Sequence, residues 1–158
     1  MMTTLESVTP QQNLIRAAAR RRIDNLELNR AIFRASRDQN LSHRQINAVV
    51  TDLSTTTIQR ILARFSDDPS LLDETPAEVI DKRAAGLIDD KTMMDRLLNW
   101  RYTFGRVQYV DDVATDAYAS GDWDDIEQAY YRDRLGEEEF NKLVDRQKTH
   151  LERAARAQ

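Results

Sequence analysis

The chain has no cysteine, which removes disulfide bonds and thiolate chemistry and fits a reducing compartment. Glycine occurs four times and proline three times in 158 residues. So small a stock argues against an architecture rich in tight β-turns. Uninterrupted apolar runs fall well short of the roughly eighteen residues a membrane span needs, so no membrane partner is expected. The opening MMTTLESVTP lacks a basic stretch followed by an apolar one, so no secretory leader is expected and the location is read as cytoplasmic. Walker loops, dinucleotide fingerprints and zinc-ligand spacings are all missing, and the two histidines lie far apart. No nucleophile stands beside a candidate base. The sequence therefore assigns no catalytic residue, no metal and no cofactor, and the protein is not expected to be an enzyme. Asp111, Asp112, Asp116, Asp122, Asp124 and Asp125 cluster, but their spacing fits no calcium loop, and helix capping with solvation accounts for them.

What is present points to helices. Charged residues make up 32% and apolar ones 41%, the composition of a well-solvated helical protein with modest cores. The net charge of -4 conceals an asymmetry. Residues 1–66 hold ten Arg against five acids, and residues 67–158 hold thirteen Lys and Arg against twenty-two acids. A basic half joined to an acidic half suggests two surfaces with different partners.

Thr9, Pro10 and Gln12 open a helix whose apolar residues recur from Leu14 to Ala35, and Asn40 offers a stop. It reads as one long helix to about Gln39 or two that meet near Asp24. Ser42 with Gln45 caps a second helix carrying Ile46, Val49 and Val50. Asp52 or Ser54 caps a third, striped by Ile58, Ile61, Leu62 and Phe65. SDDPSLLDETP then reads as a polar linker with few residues that pack. Beyond it, Thr75–Pro76 starts a helix that Gly86 ends, and Asp89 or Asp90 starts another. A loop and a short helix near 111–119 follow, then a helix capped by Ser120 or Asp122, then one final helix over EEEFNKLVDRQKTHLERAARA. Nine of the eleven aromatics lie beyond residue 99, enough for the acidic half to build its own core. The fold class is therefore all-α, with domains at 9–66 and 67–158, the second acidic and helical.

LSHRQINAVVTDLSTTTIQRILAR places small hydroxyl residues at the mouth of a short helix and long polar ones beyond them. Over about residues 26–65 it resembles the helix-turn-helix of bacterial transcription regulators and resolvase-type DNA-binding domains, in its opening Leu41-Ser42 and in Ser54, Ile58, Ile61 and Leu62. Two features depart from the pattern. Asn47 stands where Ala is usual, and Thr51-Asp52-Leu53 makes a turn one residue longer, without its Gly. Asp52 is expected to replace that Gly by tolerating an unusual backbone.

The resemblance implies a helix-turn-helix domain preceded by a long helix, and a bacterial or phage transcription regulator, most simply a repressor, bound to double-stranded DNA. With the apolar stripe turned inward, the third helix offers Ser54, Thr55, Thr56, Gln59, Arg60 and Arg64. Gln59 suits adenine and Arg60 guanine. Ser42, His43 and Arg44 open the supporting helix, and Arg16, Arg20, Arg21 and Arg22 are further candidates for phosphate contacts. A homodimer on a two-fold operator is expected, associated with the nucleoid when bound. The alternative from another class is an antitoxin-like or adaptor protein. Its acidic C-terminal half would bind a protein partner, while its N-terminal half regulates its own expression.

Overall fold

The computed structural model describes residues 9–119 and 121–156. Helix dominates, as the composition leads one to expect. Among the described residues lie eight α-helices, one short 3-10 turn and a two-stranded antiparallel hairpin. The chain divides into two compact units. One is Arg20–Glu74, and the other joins the described residues before Arg20 to those from Thr75 onward. Helix α1, Pro10–Gln39, runs unbroken and contributes to both.

Local chemistry sets the element ends in the chain up to Glu74. Gln12 and Thr9 cap α1 reciprocally, Thr9 N–H donating to Gln12 Oε1 at 2.9 Å and Gln12 N–H to Thr9 Oγ1 at 3.2 Å. Asn40 ends α1 with φ of 55°, the left-handed conformation that Asn tolerates. Ser42 and Gln45 form a capping box at α2, His43–Val49. Ser54 caps α3, Thr55–Asp67. Ile32, Ile46, Ile58, Ile61 and Phe65 make the core, with Phe33 stacked on Phe65 at 5.2 Å between ring centres. Ile58 is fully buried, and burial of such a side chain is worth about 1.5–3 kcal/mol.

The boundary differs from the expected cut after Ser66. Pro69–Leu72 forms a 3-10 turn, and Leu71 and Leu72 pack onto the isoleucine core. Arg30, only 8% exposed, explains why the segment is held. Its Nε donates to the Leu71 carbonyl and its Nη2 to the Asp73 carbonyl, both at 2.9 Å. The supposed linker therefore closes the first unit. Counted by unit, the charge asymmetry shrinks: Arg20–Glu74 holds nine Arg against eight acids, and the rest fourteen Lys and Arg against nineteen.

The second unit packs α4 (Pro76–Ala84), α5 (Asp90–Leu98), α6 (Trp123–Tyr131) and α7 (Glu137–Arg146), with α8 (Lys148–Arg156) following. Val79, Ile80, Met93, Leu97, Trp123, Ile126 and Leu143 fill its centre. Thr75 caps α4 and Asp89 caps α5. Gly86, at φ of 75°, ends the α4 segment in a conformation that side-chain-bearing residues resist. Arg83 spans the unit. It reaches Glu139 through both terminal nitrogens at 2.8 and 3.1 Å, and also Asp90 and the Arg134 carbonyl.

Three expectations for this half are corrected. The loop and short helix near 111–119 are instead a hairpin, β1 (Arg106–Val110) paired with β2 (Val113–Ala119). Its two-residue turn uses Asp111 and Asp112 at φ of 51° and 62°. Asp can visit that region, so the shortage of glycine did not forbid a tight turn. Asp122 precedes α6 but makes no side-chain cap bond. Its carboxylate instead accepts from Thr103 N–H, Thr103 Oγ1 and Trp100 Nε1, stapling the segment after α5. Ser120 lies outside the described residues. Finally, the last helix is two. At Gln147 one N–H is shared between the Leu143 and Val144 carbonyls, both at 3.1 Å, and this tightening ends α7.

Candidate nucleic-acid interface

Helices α2 and α3 pack against each other through Ile46, Ile58 and Ile61, which leaves their outer faces free. The connection between them is held in an unexpected way. Asp52 is not among the residues with positive φ, so it does not stand in for a turn glycine. Asn47 does the work instead. Its Nδ2 donates to the Leu53 carbonyl across the turn, and Leu53 N–H donates to the Val50 carbonyl at 3.3 Å. This side-chain bond closes the turn between α2 and α3 and gives Asn47 a structural role there.

Both cap serines spend their hydroxyls locally. Ser42 Oγ accepts from Gln45 N–H at 3.2 Å while Gln45 Oε1 takes Ser42 N–H at 2.8 Å. Ser54 Oγ accepts from Thr57 N–H at 3.1 Å and lies 3.0 Å from Thr57 Oγ1. Their first role is to fix where α2 and α3 begin.

Past the caps, Thr55, Thr56, Gln59, Arg60 and Arg64 are all exposed on α3, as are His43 and Arg44 at the start of α2. Among the described residues, nothing engages the side chains of Gln59, Arg60 or Arg64 in a hydrogen bond or ion pair. Arg37, by contrast, is held by Asp38 at 2.8 Å and lies over the Phe33 ring. That pairing raises its already high pKa, so this charge is committed locally. Arg20 and Arg21 are exposed on α1 in the same unit. Arg22 is partly buried and engaged within the protein. Arg16 belongs to the other unit, with its guanidinium beside Gly86. The four arginines of RAAARRR are thus divided, and only Arg20 and Arg21 keep free guanidiniums in the unit that carries α3.

Comparisons with protein-family models, with curated proteins and with solved structures give no match. The arrangement therefore rests on its own geometry. Two further exposed residues, outside the expected set, lie in the same unit. Val49, 81% exposed, stands at the end of α2 next to the turn, and Arg34 is exposed on α1. An apolar residue at the end of a short helix reads from sequence as core, which hid Val49. Among the described residues no group of His, Cys, Asp or Glu could hold a metal ion, and no helix is long and apolar enough to cross a membrane.

Proposed function

We propose that the protein is a sequence-specific DNA-binding transcription regulator, with α2, its turn and α3 acting as a helix-turn-helix and α3 as the recognition helix. One observation carries the reading. The inner face of α3 is committed to the core through Ile58, Ile61 and Phe65, while its outer face holds out three long hydrogen-bonding side chains that have no partner among the described residues. Gln59 has the donor and acceptor pair that matches adenine in the major groove, and Arg60 the fork that matches guanine. Thr55 and Thr56 at the helix mouth suit phosphate oxygens, as do His43 and Arg44 on α2. Arg20, Arg21 and Arg64 add attraction that is independent of sequence and sensitive to salt. One such helix reads only a few base pairs, so a homodimer on a two-fold site is part of the proposal. Selection of duplexes from a random pool tests it. A recurrent motif of two related half-sites supports the reading, and retention without sequence preference, or none, refutes it.

A second reading has its own support. Tyr131 is 79% exposed on α6, beside Asp133 and Glu137. An exposed aromatic flanked by acids is the kind of anchor a basic protein partner uses. It keeps open an antitoxin-like or adaptor role for the acidic unit.

A further inference from the structure

We propose that the unit from Thr75 onward binds a small organic anion with a planar ring, in the cleft between the end of α5 and the α7–α8 junction. The cleft holds about 480 Å³, within the range of small-molecule sites. Arg101 and Arg146 both line it. Among the described residues neither has a carboxylate partner, although acids outnumber bases in this unit. Elsewhere in the same unit the arginines near the core are paired: Arg83 with Glu139 and Asp90, and Arg134 with Asp81 at 4.0 Å. Exposed arginines such as Arg132 and Arg153 also lack a carboxylate partner among the described residues, so what sets Arg101 and Arg146 apart is that both line one concavity, where guanidinium forks match carboxylate and phosphate oxygens.

The walls account for the ring. Trp100 and Tyr102 line the cleft, and both are fixed from behind. Trp100 Nε1 donates to Asp122 Oδ2 at 3.0 Å, and Tyr102 Oη donates to the Leu97 carbonyl at 2.6 Å. The side of the cleft near α8 is His150, whose ring stacks on Phe104 with centres 6.0 Å apart. Pinned aromatic walls lose little freedom when a flat ligand enters, and they present apolar area beside the charged mouth.

The cleft lies within one unit and does not depend on the DNA reading. Calorimetry on the full chain with phenyl phosphate, inorganic phosphate and benzyl alcohol tests it. Phenyl phosphate should bind one site, at least tenfold tighter than either half-probe, and quench Trp100. Arg101→Ala with Arg146→Ala should weaken it at least tenfold, with helicity preserved. Arg153→Ala, which removes an exposed charge on α8 outside the cleft, should leave it unchanged. Trp100→Phe should abolish the quench, because Trp123 is buried in the core. Absence of binding by phenyl phosphate at millimolar concentration overturns the proposal. So does equal binding of phosphate alone, or equal loss in Arg153→Ala.

Discussion

In the unit from Thr75 onward, Arg83 is drawn inward. Burial works against its charge, but bonds to Glu139 and Asp90 hold its pKa above the ordinary value. In the unit Arg20–Glu74, Arg30 is similarly used, closing the chain end at Leu71 and Asp73. Arg60 and Arg64, one turn of helix apart on α3, do neither. The contrast shows that basic residue count is a poor guide to function here, since the unit that carries α3 is nearly neutral in total. What distinguishes it is which arginines the fold has already used. An arginine that bridges backbone carbonyls or carboxylates stabilises the fold, and one left outward is available to a partner.

The largest expected effect tests whether the two cores are separate. Ile58→Ala removes a fully buried side chain and should cost about 2–5 kcal/mol. Both tryptophans lie in the other unit, so their fluorescence should hardly change while far-UV helicity falls. Leu143→Ala should instead shift tryptophan emission as helicity falls, at a similar cost. Identical melting profiles for the two variants would mean one cooperative core and would undo the comparison.

Next comes the pairing of arginine with acid. Arg83→Ala leaves Glu139 without its bidentate partner and should cost about 1.5–3 kcal/mol, the range for hydrogen bonds to charged groups. Arg60→Ala should cost the fold under about 0.5 kcal/mol, as is usual for exposed positions. Chemical denaturation of both variants measures the difference. Equal losses would place Arg60 inside the structural network.

How much of this was legible in the sequence depended on the range of the signal. Thr9 with Gln12, Ser42 with Gln45, Ser54, Thr75 and Asp89 announce helix starts through bonds spanning three residues, and each makes the bond its position suggests. Asn40 at the end of α1 is equally local. The exposure of Gln59, Arg60 and Arg64 follows from the stripe Ile58, Ile61 and Phe65. Arg30 holding Leu71 and Asp73 spans more than forty residues, so SDDPSLLDETP looked like a linker. The hairpin turn at Asp111 and Asp112 was obscured because the shortage of glycine was weighed more heavily than the tolerance of Asp for positive φ. Helical periodicity continues past Gln147, so the break there leaves no mark in the pattern. The division of Arg16 from Arg20 and Arg21 follows packing that two consecutive turns of one helix do not reveal.

A smaller effect is expected in the acidic unit. Burial holds the Asp125 carboxyl above the ordinary aspartate range. The Ala77 N–H opposes this, and the charges of Asp122, Asp124 and Glu78 add to it. The folded protein therefore keeps that proton to higher pH than the unfolded chain does. Stability from this group is present below the ordinary aspartate range and is lost as pH rises through the folded value. Asp125→Asn should raise the melting temperature near neutral pH, with the gain vanishing in acid. A gain that is the same at all pH values would assign the effect to packing.

The smallest expected change concerns phosphate contacts. Replacing Arg20 or Arg21 should weaken binding to all duplexes alike and reduce the slope of log affinity against log salt by roughly one unit. Arg16→Ala, in the other unit, should leave the slope unchanged. Equal slopes for all three would remove Arg20 and Arg21 from the interface.

The central claim, that the outward face of α3 reads DNA sequence, is tested most directly by one titration at fixed salt. Wild type, Gln59→Ala and Arg60→Ala are each titrated by fluorescence anisotropy against the selected duplex and against a scrambled one. Each substitution should cost about 1–3 kcal/mol on the selected duplex and far less on the scrambled one, with helicity intact. Unchanged affinity for the selected duplex in both variants would contradict the account.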